Sequence, residues 1–300
     1  MNQSTNTKSP KVSLGMPVYN GEKYLGETFD AILAQTFTDF ELIISDNAST
    51  DATQKICEDY ALSDSRIKYI KQAKNLGAAA NYNFVFSQAT GEYFKWCPHD
   101  DILAENFLEE CVAVLDKHPR VVGAMPNACF IDGEGQKIKD VRLPIVRKAH
   151  SPAKRFTRGL WKAHDWLLFF GLYRRRLVAQ TDLHGNYVRS DHVFVSDMFL
   201  KGRIFDVPTS LLMFRFHNNS FTVKILKSQK EALAWMDPKL NTRQNFREIR
   251  FCFETAKVVC RSNIRLKGKA ACLIQIAKFA WKRKRRAIFK ELLSPFRAST

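Results

Sequence analysis

The stretch ELIISDNASTD, at residues 41–51, is the part of the chain that decides the fold. Its apolar run predicts a buried strand, and the polar residues that follow are those that end a strand in a turn. A second stretch of the same design, EYFKWCPHDD at residues 92–101, ends in the pair Asp100 and Asp101. In an open α/β sheet, ligands bind beyond the carboxyl ends of the strands, so these two acidic ends are predicted to meet in one pocket. Carboxylates gathered there suit a metal-bound diphosphate.

Apolar runs alternate with segments of helical periodicity on both sides of these stretches. Strands are predicted at residues 11–18, 40–45, 67–70 and 93–96, with helices between them. Asp51 and Gln54 have the spacing of a capping box at the start of the second helix. Strands that alternate with helices indicate a mostly parallel, Rossmann-like sheet with right-handed crossovers and flanking helices.

The second half of the chain has a weaker pattern. A helix is predicted at residues 103–117, a strand at 121–125, a hairpin around 132–135, a basic loop-like stretch at 141–160, a helix at 191–201, and two strands at 203–207 and 211–216. The rest has helical spacing. We therefore divide the chain into an α/β domain of residues 1–225 and a helical, basic extension of residues 226–300.

The composition predicts a cytoplasmic protein. Its 300 residues are 45% hydrophobic, which is enough for a large core. No apolar run reaches the roughly 18 residues of a membrane span, and the polar first residues lack the apolar segment of a signal peptide. The seven cysteines are odd in number and contain no CxxC pair, so we expect reduced, structural cysteines and no zinc site.

Positive charge is concentrated at the end of the chain. Of the net charge of +17, residues 239–300 hold +14, from 17 Lys/Arg against 3 Asp/Glu. Ile274, Ala277, Trp281, Ile288 and Leu292 have helical spacing around a run of five cations at residues 282–286. A basic helix with one apolar side suits an anionic membrane surface, which predicts a peripheral protein at the inner face of the cell membrane. The alternative is a helix packed on the α/β domain with a solvated basic face.

Five motifs give a family resemblance. The strings VSLGMPVYN (12–20), SDNASTD (45–51), NLG (75–77), GEY (91–93) and HDD (99–101) have the order and spacing of family 2 glycosyltransferases. The resemblance covers roughly residues 10–220, and FKW (94–96) and WMDP (235–238) look like a bacterial branch of sugar transferases. It implies a GT-A fold, a nucleotide-diphosphate sugar donor, magnesium or manganese, and inversion at the anomeric carbon. The acceptor would be a glycan or a lipid-linked glycan in cell-surface polysaccharide synthesis.

The resemblance also assigns metal ligands. Asp100 and Asp101 match the family's DXD-type element, and two acids on one loop suit a hard dication that bridges carboxylates to phosphates. Along residues 211–217 the two-residue period puts Arg215 and His217 on one face. By resemblance, a His at position 217 ligates the metal or contacts the diphosphate. The alternatives are an acid that caps the next helix, and a strand edge with solvated polar residues.

The nucleotide is assigned by resemblance to the ends of the first two strands. Pro17, Val18 and Tyr19 would lie along the base and ribose, and Asp46 and Asn47 near the base edge, with Asp100 towards the diphosphate. Asn47 departs from the family's common acidic residue, and an Asn amide both donates and accepts hydrogen bonds, so the base is not fixed as uracil. The alternatives are a turn residue at Asn47 and a packed aromatic at Tyr19.

The general base is assigned to Asp191. Counted back from Gly202, Asp191 falls on the family's base carboxylate, and a carboxylate at a helix start suits proton removal from a sugar hydroxyl. The alternative is an N-cap, with Asp197 as the reserve base.

Three other function classes fit the sequence less well than sugar transfer. A sugar-nucleotide binding module without turnover would not need Asp191. A nucleic-acid binding protein should carry a recognition motif beside its basic residues, and none is found, so no nucleic-acid partner is expected. A nucleotidyltransferase usually begins with a glycine-rich phosphate loop, which is missing from this sequence.

Overall fold

Four parallel strands form the first half of the sheet, in the spatial order 67–71, 40–46, 12–18 and 93–96. The structure is a computed structural model that describes residues 9–143, 149, 151–161, 165–218, 220, 235–236 and 246–293. The first seven elements are β1 (Val12–Val18), α1 (Leu25–Leu33), β2 (Phe40–Asp46), α2 (Thr53–Ser63), β3 (Ile67–Lys71), α3 (Ala78–Ser87) and β4 (Tyr93–Trp96). The predicted alternation of strands and helices is confirmed here.

The central strand β1 is buried along its whole length. Gly15 lets β1 lie close to its neighbours, because a Cβ at this position would be 2.8 Å from both the Phe94 ring and the Val85 side chain. Val18 pairs with Asp46, so β1 and β2 end at the same level. The loops after these strands therefore begin side by side, as a ligand pocket at the carboxyl edge requires.

The second half of the chain adds a mixed part to the same sheet. Its elements are β5 (Ile102–Leu103), α4 (Phe107–Lys117), β6 (Val121–Ile131), β7 (Lys137–Val141), α5 (Pro152–Trp161), a 3₁₀ turn (Asp165–Phe170), β8 (Leu172–Arg174), α6 (Arg175–Val178), α7 (Ser190–Lys201) and β9 (Arg203–Arg215). Strand β8 runs antiparallel between β4 and β6, and β9 runs parallel to β6. The predicted α/β class with flanking helices is confirmed.

Strand β9 corrects the prediction of two separate strands. It runs without a break from Arg203 to Arg215. Pro208, which has no N–H to donate, made the sequence look interrupted at this point. The register with β6 shifts here by a bulge, and the Asn127 side chain donates to the Pro208 carbonyl at 2.8 Å across it. The break in the pattern was therefore a bulge inside one strand.

Further local predictions were wrong. The helix predicted at 103–117 begins only at Phe107, because Ile102 and Leu103 pair with β9 as strand β5. The basic stretch at 141–160 contains helix α5, whose Phe156 and Leu160 are one turn apart and buried, although its cations hide this pattern. The capping box at Asp51 and Gln54 does not form. Helix α2 begins at Thr53, and Gln54 instead bonds to Glu58 and Lys71.

A second apolar core holds the C-terminal helices. These are α8 (Arg247–Arg261), α9 (Leu266–Phe279), a π turn (Ala280–Lys284) and α10 (Arg285–Leu293). Phe251, Val259 and Ile276 pack there with Phe156 of α5 and Val193 of α7. The described C-terminal part is helical, as predicted, and its helices pack on the α/β domain. The predicted boundary between residues 225 and 226 lies outside the described residues. No helix in the described part of the chain is both long and apolar enough to cross a membrane.

Candidate active site

The loop with the two acids is fixed between β1 and α1. The backbone N–H of Cys97 donates to the Gly15 carbonyl at 2.9 Å, which continues the sheet beyond β4. The Thr28 hydroxyl contacts the carbonyl oxygens of His99 and Asp101, at 3.0 and 3.1 Å. Side chains on this loop are therefore held at the carboxyl edge of the sheet.

Asp100 and Asp101 have different partners. Asp100 Oδ2 lies 2.8 Å from His217 Nε2. Asp101 is only 3% exposed, and its Oδ1 accepts the backbone N–H of Arg215 at 3.0 Å. Its other oxygen, Oδ2, is buried and has no hydrogen-bond partner among the described residues. A buried carboxylate oxygen without a partner is costly unless it is protonated or meets a cation.

The pKa values of the two acids move in opposite directions. Burial raises the pKa of Asp101, the neighbouring Asp100 charge raises it further, and the net shift is well upward. Burial also acts on Asp100, but the nearby His99 and the bond to His217 outweigh it, so the pKa of Asp100 is lowered. One site thus holds an ionised acid beside an acid that resists ionisation.

Arg215 connects this loop to its surroundings. It is buried, and its Nε donates to the Asp100 carbonyl at 2.9 Å while one terminal nitrogen donates to Glu27 Oε2 at 2.6 Å. The other terminal nitrogen lies 3.4 Å from the carbonyl oxygens of Asp132 and Gly133, in the β6–β7 turn. A single guanidinium therefore joins the acid loop, helix α1 and the hairpin.

His217 lies on the same side as Arg215, as the two-residue period predicts. Its ring packs against Tyr24 with the ring centroids 4.7 Å apart. The opposite face is apolar, where Phe214 and Phe216 contact Phe130. The predicted alternation along 212–217 is confirmed, and it brings His217 to the acid pair.

The ligand set fits a partly open metal site. In the described ranges, no group of three or more His, Cys, Asp or Glu side chains is placed to hold a metal ion. Magnesium and manganese do not need such a group, because these ions are commonly held by one or two carboxylates together with substrate phosphates. The free oxygen of Asp101 and the carboxylate of Asp100 suit that chemistry.

The predicted nucleotide residues lie along the next two strand ends. Tyr19 follows β1 and is exposed, whereas Val18 is buried. Asp46 Oδ1 accepts the N–H of Ser49 at 2.8 Å, and its Oδ2 accepts the Tyr69 hydroxyl at 2.9 Å.

Asn47 connects two loops at the same edge. Its side-chain Nδ2 donates to Asn75 Oδ1 at 3.0 Å, and its side-chain Oδ1 accepts the backbone N–H of Leu76 at 2.7 Å. These bonds hold the NLG motif beside the SDN motif. Asp46 and Asn47 thus organise the loops, and their contact with a base stays a prediction.

Asp191 lies in the first turn of α7. The N-cap of this helix is Arg189, at φ 75°, so Asp191 is not the capping residue. Burial raises the pKa of the Tyr82 phenol, and the negative charges of Asp100, Asp101 and Asp191 raise it further. Tyr82 therefore lies within electrostatic reach of both the acid pair and Asp191.

The reserve base Asp197 has a structural position. It is buried, and its two oxygens contact Lys201 at 2.9 Å and Arg261 at 2.7 Å. Two cations hold this carboxylate between α7 and α8. Asp191, which is half-buried, is the better placed of the two to meet a substrate.

Sequence reasoning missed four residues of this region. Tyr24 directly precedes α1, Glu27 is on α1, Tyr82 is on α3, and Lys95 is fully buried in β4. Burial lowers the pKa of Lys95, and its ammonium lies 4.8 Å from the Phe107 ring centroid. The contact of Glu27 with Arg215 joins residues 188 apart in the chain, so no local pattern could reveal it.

Comparison with known proteins gives the family. The model described as Glycosyl transferase family 2 matches residues 13–181, more than half of the chain. The chain belongs to glycosyl transferase family 2. It is 44% identical over 110 residues to EpsE of Bacillus subtilis (strain 168), a match that covers 36% of this chain and 40% of EpsE.

Two further relatives extend the comparison. The chain is 39% identical over 101 residues to the glycosyltransferase GlyG of Streptococcus pneumoniae serotype 4, which covers 34% of each. A glycosyltransferase of Haemophilus influenzae is 26% identical over 219 residues, which covers 70% of this chain and 67% of that protein. The chain thus spans well under half the length of EpsE and GlyG.

Solved structures share the fold. The crystal structure of S. aureus TarS in complex with UDP-GlcNAc superimposes with a TM-score of 0.70 at 18% identity, covering 95% of this chain and 79% of that one. The mannosyltransferase PcManGT from Pyrobaculum calidifontis, in complex with GDP-Man and Mn²⁺, gives 0.53 at 16% identity, covering 98% and 87%. The expected GT-A fold is confirmed.

Proposed function

We propose that this chain is an inverting glycosyltransferase that moves a sugar from a nucleotide-diphosphate sugar to a glycan or lipid-linked acceptor in cell-surface polysaccharide synthesis. Its membership of glycosyl transferase family 2 supports sugar transfer. The observation that carries the proposal is the unpartnered, buried oxygen of Asp101 beside Asp100 and His217 at the carboxyl edge of the sheet.

The donor would lie along the ends of β1 and β2. The base and ribose would contact Pro17, Val18 and Tyr19, with Asp46 and Asn47 near the base edge. The diphosphate would then point towards Asp100. Exposed Tyr19 supports this arrangement, because an aromatic face at a strand end can stack on a base.

Asp100, Asp101 and His217 would hold a magnesium or manganese ion. When bound, the ion would supply positive charge against the departing diphosphate. The raised pKa of Asp101 supports the need for a cation at this point, because a nearby dication favours the ionised carboxylate.

Asp191 would act as the general base. It would take the proton of an acceptor hydroxyl, whose oxygen attacks the anomeric carbon of the donor. The bond from that carbon to the phosphate oxygen breaks, and the nucleoside diphosphate leaves with the electron pair. One displacement of this kind inverts the anomeric carbon.

We also propose that residues 1–225 form the catalytic domain and that the extension of residues 226–300 places it at the inner face of the cell membrane. The excess of Lys/Arg in the extension supports attraction to an anionic surface. An acceptor built on a lipid would be found there.

Thermal stabilisation tests the donor and the metal together. A panel of uridine, guanosine and other nucleotide sugars is added to the protein with Mg²⁺, with Mn²⁺ or with EDTA. A ligand that binds only the folded state raises Tm, and at about 100 times its Kd it adds roughly 2.7 kcal/mol to the free energy of unfolding. We expect a Tm rise that needs the metal and is lost in Asp101→Asn. An equal rise with EDTA would contradict the metal, and no rise with any donor would contradict the function.

A further inference from the structure

Helix α9 is apolar on two opposite faces. Cys272, Ile276 and Phe279 pack into the second core. On the opposite side, Leu266 and Ile274 are 82% and 53% exposed, Leu273 lies beside them, and Trp281 in the following π turn is 61% exposed. We call Leu266, Leu273, Ile274 and Trp281 the docking stripe. An amphipathic helix of a globular protein normally presents a polar outer face, so this second apolar face has no explanation in the fold.

The docking stripe is concentrated and continuous. Eight large apolar side chains are exposed in the part of the chain that the structure describes, and four of them belong to the stripe. From residue 266 to residue 281 the stripe extends over about 22 Å at 1.5 Å per residue. Ala270 and Ala277, which are also exposed, fill the gaps between the larger side chains. Extended apolar patches of this kind mark binding surfaces.

Cations surround the stripe. Residues 255–290 contain 12 Lys/Arg and no Asp or Glu. The exposed side chains Lys267, Lys278 and Lys282 follow the stripe along the helix. The guanidinium of Arg285 lies 5.7 Å from the centre of the Trp281 ring. An apolar surface within a field of positive charge is complementary to anionic headgroups above acyl chains.

We propose that the docking stripe lies in the headgroup layer of an anionic membrane, with α9 parallel to the membrane plane. Leu266, Ile274 and Trp281 enter the boundary of the acyl chains, and the flanking lysines contact lipid phosphates. A nucleic acid would use the cations but would leave the apolar stripe in water. This inference rests on the proposed inner-membrane location and not on the sugar-transfer activity, so the two fail separately.

The experiment uses the full chain and vesicles of two compositions. Sedimentation is measured with vesicles of equal parts phosphatidylglycerol and phosphatidylcholine, and with vesicles of phosphatidylcholine alone. Ile274→Gln and Trp281→Gln are compared with Ile138→Gln, a matched control because Ile138 is 54% exposed on β7. We expect the partition constant to fall about tenfold for each stripe variant, because one large apolar side chain stays in water. Ile138→Gln should bind as the wild type does.

The charge is tested with Lys278→Gln and Lys282→Gln. Each should lower partitioning to the anionic vesicles by roughly fivefold, and added salt should weaken the wild-type binding. The inference is overturned if the wild type does not sediment with anionic vesicles. It is equally overturned if the stripe variants bind these vesicles as well as Ile138→Gln does. It is also overturned if those variants abolish only self-association, or if duplex DNA competes fully with vesicles. Transfer to a soluble acceptor should be unchanged in Ile274→Gln, whereas an absence of transfer in all proteins would contradict the proposed function alone.

Discussion

Asp100 and Asp101 are neighbours in sequence but lie in opposite electrostatic surroundings. The two histidines near Asp100 favour its ionised form, whereas burial and the charge of Asp100 disfavour ionisation of Asp101. Arg215 gives Asp101 a backbone N–H, while its guanidinium donates to carbonyl oxygens and to Glu27. Asp101 therefore forms no ion pair among the described residues, and in the proposed site a dication would supply the opposing charge.

Asp101→Asn and Asp100→Asn, made separately, should each lower transfer about a hundredfold or more, because the metal charge opposes the leaving diphosphate. Tm without metal should stay close to the wild-type value. Steady-state kinetics with the donor found in the panel measures the effect, and exposed Asp140→Asn is the control. Full activity in both variants, or in wild type saturated with EDTA, would refute the metal-dependent mechanism.

Asp191→Asn should lower kcat by about a hundredfold or more and leave donor affinity nearly unchanged, because a general base acts in the chemical step. Asp197→Asn is the matched comparison on the same helix. It should lower Tm through its contacts with Lys201 and Arg261 and change kcat little. If Asp197→Asn is the variant that loses kcat, the base has been assigned to the wrong residue.

Arg215→Lys should lower the free energy of unfolding by about 3 kcal/mol. A lysine cannot reproduce the planar guanidinium, which bonds to the acid loop, helix α1 and the β6–β7 turn. Glu27→Gln should cost less than about 1 kcal/mol, because Glu27 is half exposed and its pair is screened by water. Urea unfolding with circular dichroism gives both values. Equal losses in the two variants would mean that the ion pair, and not the planar guanidinium, is the stabilising feature.

At the scale of elements, the most informative contrast lies within helix α9. Ile274 and Ile276 are two residues apart, yet one is exposed in the docking stripe and the other is buried in the second core. The same helix thus contributes both to folding and to the proposed docking surface. Substitutions at Ile276 and at Ile274 test these two contributions separately.

Ile276→Ala should destabilise the protein by 2–5 kcal/mol, the usual range for a large-to-small change in a core. Ile274→Ala should change stability by no more than about 0.5 kcal/mol, because it alters only exposed surface. Chemical denaturation of the two variants side by side measures this difference. Similar values for both would show that α9 does not pack as described.

At the scale of the whole molecule, the C-terminal helices complete the core. Removal of residues 246–300 would uncover Phe156, Leu160 and Val193, which pack against them. We expect the truncated chain to lose soluble expression or to aggregate on purification, because it exposes a contiguous apolar surface. Soluble expression with a wild-type circular dichroism spectrum would show instead that residues 1–245 fold independently.

The parallel half of the fold could be predicted because each strand is an apolar run closed by a turn, as in residues 41–51. The mixed half could not, because β5 and β8 are only two and three residues long and form by pairing with β9 and β4. At the site, the strand-end position predicted that Asp100 and Asp101 lie at the carboxyl edge of the sheet, and the two-residue period predicted that His217 shares a face with Arg215. The Glu27–Arg215 pair and the position of Tyr82 near the site could not be predicted from local spacing, because they depend on segments that are distant in the sequence.

The distribution of the five tryptophans gives the molecule an optical property. All five lie in described residues, and Trp96 is fully buried and stacks on Phe169 with the ring centroids 4.3 Å apart. Trp281, at 61% exposure, is the most exposed of the five. An aqueous quencher such as iodide should therefore reach the emission of Trp281 first and that of Trp96 last. The fluorescence of the native chain thus divides into a shielded component that reports on folding and an accessible component that reports on the surroundings of α9.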